Sequence, residues 1–592
     1  MMKYFFLVLV LLIGTLSAQN NNPEITATEI KDHIDYLASD DLEGRMTGTS
    51  ALYKAADFLK NEFESYGLKP LFDGSYFQEF PFMEKLEVGN KNELFTEFND
   101  ANSSGGRYSK LMDDFIPISF TDNLSVDGQI VFAGYGISAK DLEYDDYAGI
   151  DVQDKIVVVF RNHPDMKSPH SKFEQYSSLR YKTTNARDKG AKGIIFVNTK
   201  DKTEDPLIEL KYDNAAKITG ISAINVKRKQ FAFIPLIELQ NKIDSTLKPN
   251  SYLLDQHTPH ISITTEVTEV KGTSVNVGGI VKAMNNKFPG EYLVIGAHFD
   301  HLGWGGQNSL YIGEPSIHNG ADDNASGTSG LLELAEKFSS VKNDLNRDII
   351  LIAFSGEELG LLGSSYVVNN FPFPIENNIA MINMDMIGRL NDKNDLIVYG
   401  TGTSSKWKNI LDDKNEYDFI LTFNDEGFGP SDHSSFYGKK VPVLFFFTGT
   451  HSDYHKPSDD ADKINGIGEE KVVKYIYDVS MQILNSDERP DYISVERKDS
   501  GKMMGSRVYV GTVPDFAGEV DGYKLGGVTD GSPAAKAGLQ TGDIIVQFGE
   551  KKISNIYDFT YALGNYVPGD KVKVLVKRGE EEITVEVELG SR

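Results

Sequence analysis

Four apolar runs of the sequence each end in side chains that bind metal ions or transfer protons. Similar side chains occupy a glycine-flanked acidic loop at 319–327. The residues concerned are His298, Asp300 and His301 after the run 292–297; Asp322 and Asp323 in the acidic loop; Glu357 and Glu358 after 349–354; Asp385 after 379–384; and His451, Tyr454 and His455 after 441–447. Imidazole and carboxylate ligands without thiolate suit zinc, and less specifically manganese, cobalt or iron.

The elements that must position these side chains are predicted from the apolar runs themselves. Between about 275 and 485, strongly apolar strands alternate with helical patterns, which is typical of a parallel α/β sheet. In open sheets of this kind, binding sites lie outside the carboxyl ends of the strands. We therefore expect the five groups to converge at one edge of the sheet.

Each group taken alone has a plainer explanation. A single histidine after a strand is more often a loop residue, Asp322-Asp323 could cap the following helix, and Glu357-Glu358 could form a solvated turn. Asp385 is harder to explain in this way, because a carboxylate that directly follows a buried strand is costly without a partner. Together the groups favour a metal site. Their number exceeds what one four-coordinate zinc with an open position needs, which favours two ions that share a carboxylate.

The composition excludes several other chemistries. The 592 residues contain no cysteine, so disulfides, thiolate nucleophiles and cysteine-bound metals are ruled out. The formal net charge of −27 repels phosphate backbones and excludes nucleic acid as the main partner. A chain of this length also predicts three or four globular units rather than one.

The first residues are typical of an export signal. Lys3 precedes the apolar run 4–13, and small residues follow as far as Ala18. The run is about half of the roughly 20 residues that a spanning helix needs. We predict a signal peptide over 1–18 and therefore a secreted or periplasmic protein of a bacterial envelope, with no transmembrane anchor after cleavage. An uncleaved anchor is the alternative.

The motifs together resemble peptidase family M28, the dizinc aminopeptidases and their glutamate-carboxypeptidase relatives. The resemblance rests on AHFDH at 297–301, GADDNASG at 320–327, FSGEELGLLGS at 354–364, NMDMIG at 383–388, SDH at 431–433 and YHKPSDD at 454–460. It implies an α/β fold, with a doubly wound, mostly parallel sheet and helices on both faces, as in zinc exopeptidases. It also implies two Zn²⁺ ions per chain and peptide substrates.

The resemblance implies a ligand set for each ion. One zinc would take His298, Asp323 and Asp385, and the other would take Asp323, Glu358 and His455, with Asp323 bridging the two. Asp323 is preferred to Asp322 because the bridging aspartate of the family lies three residues before the serine, here Ser326. His301, His318 and His451 receive no role and are interpreted as loop residues.

Further roles follow from the same resemblance. Glu357 would be the general base that deprotonates the bridging water, and Asp300 would orient His298. Tyr454 would stabilise the tetrahedral oxyanion through its phenolic donor. Asp432 and His433 belong to the SDH motif near the substrate pocket, for which a structural role is an equal alternative.

Two accessory domains are also predicted by resemblance. Segment 113–265 resembles a protease-associated (PA) domain inserted into a catalytic domain that spans 24–112 and 266–485; it would act as a lid or as a spacer. After a linker at 486–505, segment 506–592 resembles a PDZ domain. It would bind a peptide or pack within the chain, and Pro514 in its expected carboxylate loop removes one amide donor.

The sequence thus predicts a secreted metallo-aminopeptidase that releases N-terminal residues from peptides. A carboxypeptidase or a glutaminyl-cyclase-like enzyme is the alternative among enzymes, with Arg389 as the candidate for binding a substrate carboxylate. A receptor-like binding protein that retains the fold without catalysis is the alternative outside enzymes. Such proteins commonly lack ligands, whereas the ligand set is complete here.

Overall fold

The computed structural model describes most of the chain after the N-terminal segment. The described residues are 24–99, 104–168, 171–200, 205–211, 220–253, 259–306, 308–495, 508–514, 520–529, 531–563, 566 and 568–591. The predicted signal peptide at 1–18 lies outside these residues, as does the second half of the predicted linker at 486–505.

Helices α1 and α2 bury one apolar face each, and a side chain caps each of them at its start. Thr26 and Thr49, for example, accept a hydrogen bond from the first turn of α1 and of α2, as N-cap residues do. The α-helices are α1 (Ala27–Leu37), α2 (Ser50–Ser65), α3 (Leu179–Asp188), α4 (Leu236–Thr246), α5 (Gly327–Ser340), α6 (Leu362–Asn369), α7 (Trp407–Lys414), α8 (His433–Tyr437), α9 (Gly466–Asn485), α10 (Pro533–Lys536) and α11 (Ile556–Leu563).

The strands divide among three larger sheets and two short pairs. In chain order they are β1 (Lys69–Pro70), β2 (Phe77–Val88), β3 (Glu93–Asn99), β4 (Ser104–Tyr108), β5 (Phe115–Pro117), β6 (Ser125–Phe132), β7 (Ser138–Ala139), β8 (Tyr144–Asp145), β9 (Ile156–Phe160), β10 (Gly193–Val197), β11 (Ser222–Val226), β12 (Tyr252–Leu253), β13 (His260–Thr264), β14 (Val267–Val281), β15 (Tyr292–His298), β16 (Asp348–Phe354), β17 (Asn378–Met384), β18 (Asp395–Tyr399), β19 (Ile420–Asn424), β20 (Val443–Phe447), β21 (Val508–Tyr509), β22 (Thr512–Pro514), β23 (Tyr523–Val528), β24 (Ile544–Phe548), β25 (Lys551–Lys552), β26 (Lys571–Arg578), β27 (Glu581–Glu588) and β28 (Gly590–Ser591).

The first sheet has the order β1-β14-β16-β15-β17-β20-β18-β19, with β2 also paired to β14. Its central strands β16, β15, β17 and β20 are parallel, and antiparallel pairs join them to β14 on one side and β18 on the other. Apolar residues of α1, α2, α5, α7 and α9 pack on one face, and residues of α6 and α8 pack on the other. The prediction of a mostly parallel α/β sheet between two helical layers is confirmed.

The second sheet has the order β4-β3-β13-β6-β9-β10-β11-β5, with apolar cores on both of its faces. The predicted start of this unit at residue 113 differs from the structure, in which Glu93–Asn99 and Ser104–Tyr108 already pair within this sheet. The reason is that β2 and β3 are consecutive strands of similar alternating pattern, so periodicity alone does not reveal which sheet each one joins.

The third sheet, β22-β23-β24-β26-β27 with β25 beside β24, covers a small apolar core near the C-terminus. Among the described residues, no helix has both the length and the apolar character needed to cross a bilayer.

Candidate active site

The predicted site residues lie together at the carboxyl edge of the first sheet. His298 ends β15, Glu357 and Glu358 follow β16, and Asp385 directly follows β17. Because β15 pairs in parallel with both β16 and β17, His298 lies opposite Phe354 and next to the end of β17. The expected convergence of strand ends is therefore present.

Asp323 occupies the centre of this group. Its Oδ1 lies 3.4 Å from His298 Nε2, and its Oδ2 lies 3.3 Å from His455 Nε2. The peptide bond between Asp323 and Asn324 is cis. Because its two carboxylate oxygens face different histidines, Asp323 can contact two ions at once.

The first half of the site is built around His298. Asp385 Oδ1 lies 3.4 Å and Glu357 Oε2 4.0 Å from His298 Nε2, and suitable ligand atoms of the three residues lie within 4.8 Å of one another. His298 Nδ1 lies 3.2 Å from the carbonyl oxygen of Asp300. Donation of the Nδ1 proton to that carbonyl leaves a lone pair on Nε2, which is the form that binds a metal.

The second half of the site is built around Glu358. His455 Nε2 lies 3.2 Å from Glu358 Oε2, while His455 Nδ1 lies 2.8 Å from the carbonyl of Asn308 and can donate to it. His301 Nδ1 lies 2.7 Å from Glu358 Oε1. Ligand atoms of His301, Asp323 and Glu358 lie within 4.8 Å of one another. His301, for which the sequence indicates no role, belongs to the site in the structure.

Asp300 supports the site from beneath. Its carboxylate accepts a hydrogen bond from the Thr47 hydroxyl at 2.8 Å and from the backbone N–H of Glu357 at 3.2 Å. The same carboxylate lies 3.8 Å from His298 Nδ1, farther than the Asp300 carbonyl. Asp300 therefore contacts His298 chiefly through its backbone, and its side chain fixes the position of Glu357.

Two buried residues that the sequence did not indicate hold the acidic loop. The Arg45 guanidinium donates to the carbonyls of Asn319 at 2.7 Å and Gly320 at 3.0 Å, and also to Phe299 at the end of β15. Asp459 Oδ2 accepts the backbone N–H groups of Asp322 and Asp323 at 3.0 and 3.1 Å. Neither role has a sequence signal, because each contact joins loops far apart in the chain.

The two candidate bridging aspartates have separate environments. Asp322 Oδ1 accepts the N–H of Gly388 at 2.7 Å, and its Oδ2 lies 3.1 Å from His451 Nε2. Asp322 is therefore directed away from the group around Asp323, and His451 with it. His318 is likewise engaged elsewhere, with Ser309 Oγ and the Ser316 carbonyl each 2.8 Å from its ring nitrogens.

The remaining predicted residues border the site. The Tyr454 ring stacks on His455 with ring centroids 3.8 Å apart. Asp432 and His433 are fully buried at the start of α8, and the His433 ring stacks on Phe445 at 4.7 Å. Burial raises the pKa of Asp432 to about 7, while the nearby His298 opposes this shift. Burial also lowers the pKa of His433 to about 3.

The concentration of carboxylates shapes the electrostatics of the site. Burial opposes charge on His298 and His455, but neighbouring carboxylates outweigh it and raise the pKa of both, that of His455 to about 10. Burial and the charge of Glu358 raise the pKa of Asp323, and burial also raises the pKa of Glu357. Burial acts against ionisation of Glu358, yet His301 and His455 lower its pKa far below the usual range. A bound cation would relieve the repulsion between the carboxylates of the site.

The donor set fits divalent metal ions. His301 Nδ1, Glu358 Oε1 and Asp385 Oδ1 are buried and have no hydrogen-bond partner among the described residues. Buried polar atoms are rarely left in this state, because each costs about 1–3 kcal/mol. The three atoms lie among imidazoles and carboxylates, which are donors that zinc binds in proteins.

Comparison with known proteins gives three family matches. Residues 276–479 match the model described as peptidase family M28, residues 126–233 match the PA domain, and residues 494–589 match the PDZ domain.

Individual relatives match part of the chain. Aminopeptidase YwaD of Bacillus subtilis is 27% identical over 294 residues, which are 48% of this chain and 55% of that protein. Leupeptin-inactivating enzyme 1 of Streptomyces exfoliatus is 31% identical over 179 residues, which are 30% of this chain and 37% of that protein. The chain thus spans about half, or less, of the length of these curated relatives.

Among solved structures, an aminopeptidase from Aneurinibacillus sp. strain AM-1 aligns with 80% of this chain and 97% of its own, at 22% identity and a TM-score of 0.46. The site described above, whose side chains could hold metal ions, lies within the segment that matches the M28 model. Residues 276–479 therefore form a domain of peptidase family M28, in a chain that also contains a PA domain and a PDZ domain.

Proposed function

We propose that the protein is a zinc-dependent aminopeptidase that removes N-terminal residues from peptides. The observation that carries the proposal is the position of Asp323, whose two carboxylate oxygens face His298 at 3.4 Å and His455 at 3.3 Å. A relative that is 27% identical over 294 residues is named an aminopeptidase, which supports this specificity.

Each half of the site would hold one zinc ion. The ligands would be His298, Asp323 and Asp385 for one ion, and Asp323, Glu358 and His455 for the other, with Asp323 bridging the two. The Nδ1 contacts of both histidines to backbone carbonyls, which direct Nε2 toward the carboxylates, support this assignment.

When bound, the ions supply a water of lowered pKa and polarise the scissile carbonyl. Glu357 Oε2 lies 4.0 Å from His298 Nε2, at the same site. Glu357 can therefore take a proton from the water as the water oxygen bonds to the carbonyl carbon. Glu357 then gives this proton to the nitrogen of the leaving amine as the C–N bond breaks.

The surrounding residues would orient the substrate. The phenol of Tyr454, whose ring stacks on His455, would donate a hydrogen bond to the carbonyl oxygen as it gains charge. Asp432 and His433, which are fully buried, would support the wall of the substrate pocket from behind. Asp300 would hold the Glu357 backbone in place through the hydrogen bond at 3.2 Å.

The engagement of Arg389 disfavours a carboxypeptidase. Its guanidinium lies 2.9 Å from Asp453 and 3.6 Å from Asp459, so its charge is already matched within the protein. An arginine that binds a substrate carboxylate would instead need its donors directed into the pocket.

The experiment that tests the function is a timed digest of a peptide, read by mass spectrometry. We expect stepwise loss of residues from the N-terminus, no cleavage of the N-acetylated peptide, loss of activity with a chelator and recovery with Zn²⁺. Shortening from the C-terminus would contradict the aminopeptidase proposal, and full activity in the chelator would contradict the metal dependence.

The role of Glu357 is tested by Glu357→Gln, which preserves shape but cannot accept the proton. We expect kcat to fall by about 10²–10⁴-fold while zinc remains bound. Glu376→Gln is a matched control, since Glu376 lies in a short helix before β17 and away from the site. Normal turnover of Glu357→Gln would show that the proposed proton transfer is wrong.

We also propose export of the chain, with 1–18 as signal peptide, and the domain division set out from the sequence, except that the inserted unit begins with β3 at Glu93. The apolar run after Lys3 supports export. N-terminal sequencing of protein from the periplasm or medium of a bacterial host should give a start near residue 19. A start at Met1 in the cytoplasmic fraction would contradict it.

A further inference from the structure

His301 carries an imidazole that the proposed dizinc site does not use. Its side chain is 1% exposed, and both ring nitrogens lack a hydrogen-bond partner among the described residues. A buried imidazole without partners is unfavourable, because each unmet polar group has lost its hydrogen bonds to water. A specific interaction at this position is therefore needed to account for it.

The ring faces the second half of the site. Its Nδ1 lies 2.7 Å from Glu358 Oε1 and 3.9 Å from Asp323 Oδ2. The first distance suits an ion pair or two ligands of one cation, and neither atom has an assigned hydrogen-bond partner among the described residues. Two lone-pair atoms that converge in this way are typical of ligands around one cation. Zinc ligands at about 2.0–2.2 Å from the metal lie roughly 3 Å apart from one another.

The loops around His301 are shaped to leave room for its ring. A Cβ on Gly320 would lie 2.5 Å from the ring, and Gly320 has a φ of +57° that favours glycine. On the other side, the His301 backbone N–H donates to the carbonyl of Arg45 at 3.2 Å. The Arg45 guanidinium also donates to the Gly320 carbonyl, so Arg45 contacts both loops, one through its backbone and the other through its side chain.

We propose that His301 Nδ1 is an additional ligand of the metal ion held by Asp323, Glu358 and His455. This inference rests on the proposed function and makes the two halves of the site unequal. One half would present two imidazoles, whose rings lie edge to face at 5.8 Å, and the other half would present His298 alone. The half with two imidazoles binds zinc more tightly, and it releases its ion last when a chelator is added.

The test is a Co²⁺ titration of the metal-free full chain, followed by visible absorption. Co²⁺ replaces zinc in such sites, and its absorption reports the number and type of ligands. His301→Gln should change the absorption of one of the two bound equivalents. It should also weaken the zinc affinity of that equivalent by about tenfold or more. The other equivalent should keep its wild-type spectrum.

Two further variants keep the test decisive. His301→Ala removes the imidazole altogether, so it should change the same equivalent as His301→Gln. His318→Gln removes a nearby buried histidine whose ring nitrogens already contact Ser309 and Ser316, so the cobalt spectrum should stay that of the wild type. Circular dichroism of each metal-free variant establishes that it is folded.

The outcomes separate this inference from the proposed function. If the wild type binds two Co²⁺ ions and His301→Gln gives the same spectrum throughout, His301 is not a ligand, and the dizinc proposal stands. If the folded wild type binds no Co²⁺, the proposed function fails and the role of His301 fails with it.

Discussion

Asp459 shows how a single side chain determines where the proposed bridging carboxylate lies. Its Oδ2 accepts two consecutive backbone N–H groups, those of Asp322 and Asp323, and its backbone carbonyl accepts the N–H of Ala321. Charge-assisted hydrogen bonds of this type are worth about 1.5–3 kcal/mol each. The loop is thus held in one conformation before any ligand arrives.

Asp459→Asn should loosen this loop without removing any proposed ligand. We expect zinc affinity to fall by about 10–100-fold, as is common when a partner of the ligands is changed. Activity should return when zinc is raised. Equilibrium dialysis against buffered zinc measures the change, with the exposed Asp462→Asn as control. An unchanged affinity of Asp459→Asn would show that the loop holds its position without this carboxylate.

The side chains that the sequence predicted and those that it missed differ in a physical way. His298, Glu358 and Asp385 could be predicted because each follows a strongly apolar strand, and parallel strands end at a common edge. Arg45 and Asp459 could not, because they lie in polar loops and act on partners more than a hundred residues away. His301 was predicted to be an ordinary loop residue, since nothing local distinguishes it from His318.

At the scale of elements, helix α5 begins directly after the acidic loop and its packing therefore supports the site. Its Glu333 side chain is buried against α1, where Oε2 accepts the N–H of Thr26 at 3.1 Å and Oε1 lies 3.6 Å from His33 Nε2. Burial, together with the charges of Glu29, Glu336 and Glu470, raises the pKa of Glu333 to about 8. Burial lowers the pKa of His33 to about 4, so the two groups are mostly uncharged near neutral pH.

This environment predicts a pH-dependent contribution to stability. The folded state holds a proton on Glu333 that the unfolded chain releases above about pH 4.5, so this contribution is full below that pH and is lost as the pH rises through about 8. Glu333→Gln removes the titration. The free energy of unfolding of the variant, relative to wild type, should therefore rise by roughly 2–4 kcal/mol between pH 5 and 8.

Denaturant unfolding at a series of pH values measures this difference, with the metal content kept equal in both proteins. Glu64→Gln provides a control, since Glu64 is an exposed residue on α2 paired with Lys60. Parallel pH profiles for Glu333→Gln and wild type would show that Glu333 carries its charge in the folded protein.

The elements themselves were largely predictable, whereas their assignment to sheets was not. The apolar runs of the central strands and the helical spacing around Leu331 and Phe338 are strong local signals. The pairing of β3 with β13 depends instead on contacts across more than 150 residues. Alternation along a strand predicts which side chains face a core, but it does not identify the neighbouring strand.

At the scale of the whole molecule, the PDZ domain contacts both other units. Its β23 lies against the segment before and within α8, where a Cβ on Gly527 would lie 2.4 Å from the Phe428 ring. The Thr541 hydroxyl donates to the Gly438 carbonyl at 3.2 Å. This contact borders the segment that contains Asp432 and His433, so PDZ packing and the proposed pocket wall are adjacent.

A charged cluster joins the PDZ domain to the PA domain. Arg187 of α3 lies 3.1 Å from Asp558 of α11, and Lys551 of β25 is paired with Asp188. Lys551→Glu should disrupt this cluster and place like charges together, at a cost of about 1–3 kcal/mol. Hydrogen–deuterium exchange should become faster in α3 and α11.

Lys552, the neighbour of Lys551 in the chain, provides the control. Lys552 is 71% exposed and lies only 3.8 Å from Asp521 of the same domain, so Lys552→Glu should leave exchange in α3 unchanged. Adding Asp188→Lys to Lys551→Glu should restore protection, since the pair is then reversed. Equal exchange in all variants would mean that the two domains do not hold each other in solution.

The proposed function requires Asp323 to lie between two metal ions. Quantitative metal analysis of the purified full chain tests this most directly, with Asp323→Asn as the comparison. If Asp323 bridges two ions, the active wild type contains two zinc ions per chain and the folded variant has lost both, because Asp323 is shared by both halves of the site. A fully active wild type with one ion or none, or an Asp323→Asn variant that retains two, would contradict it.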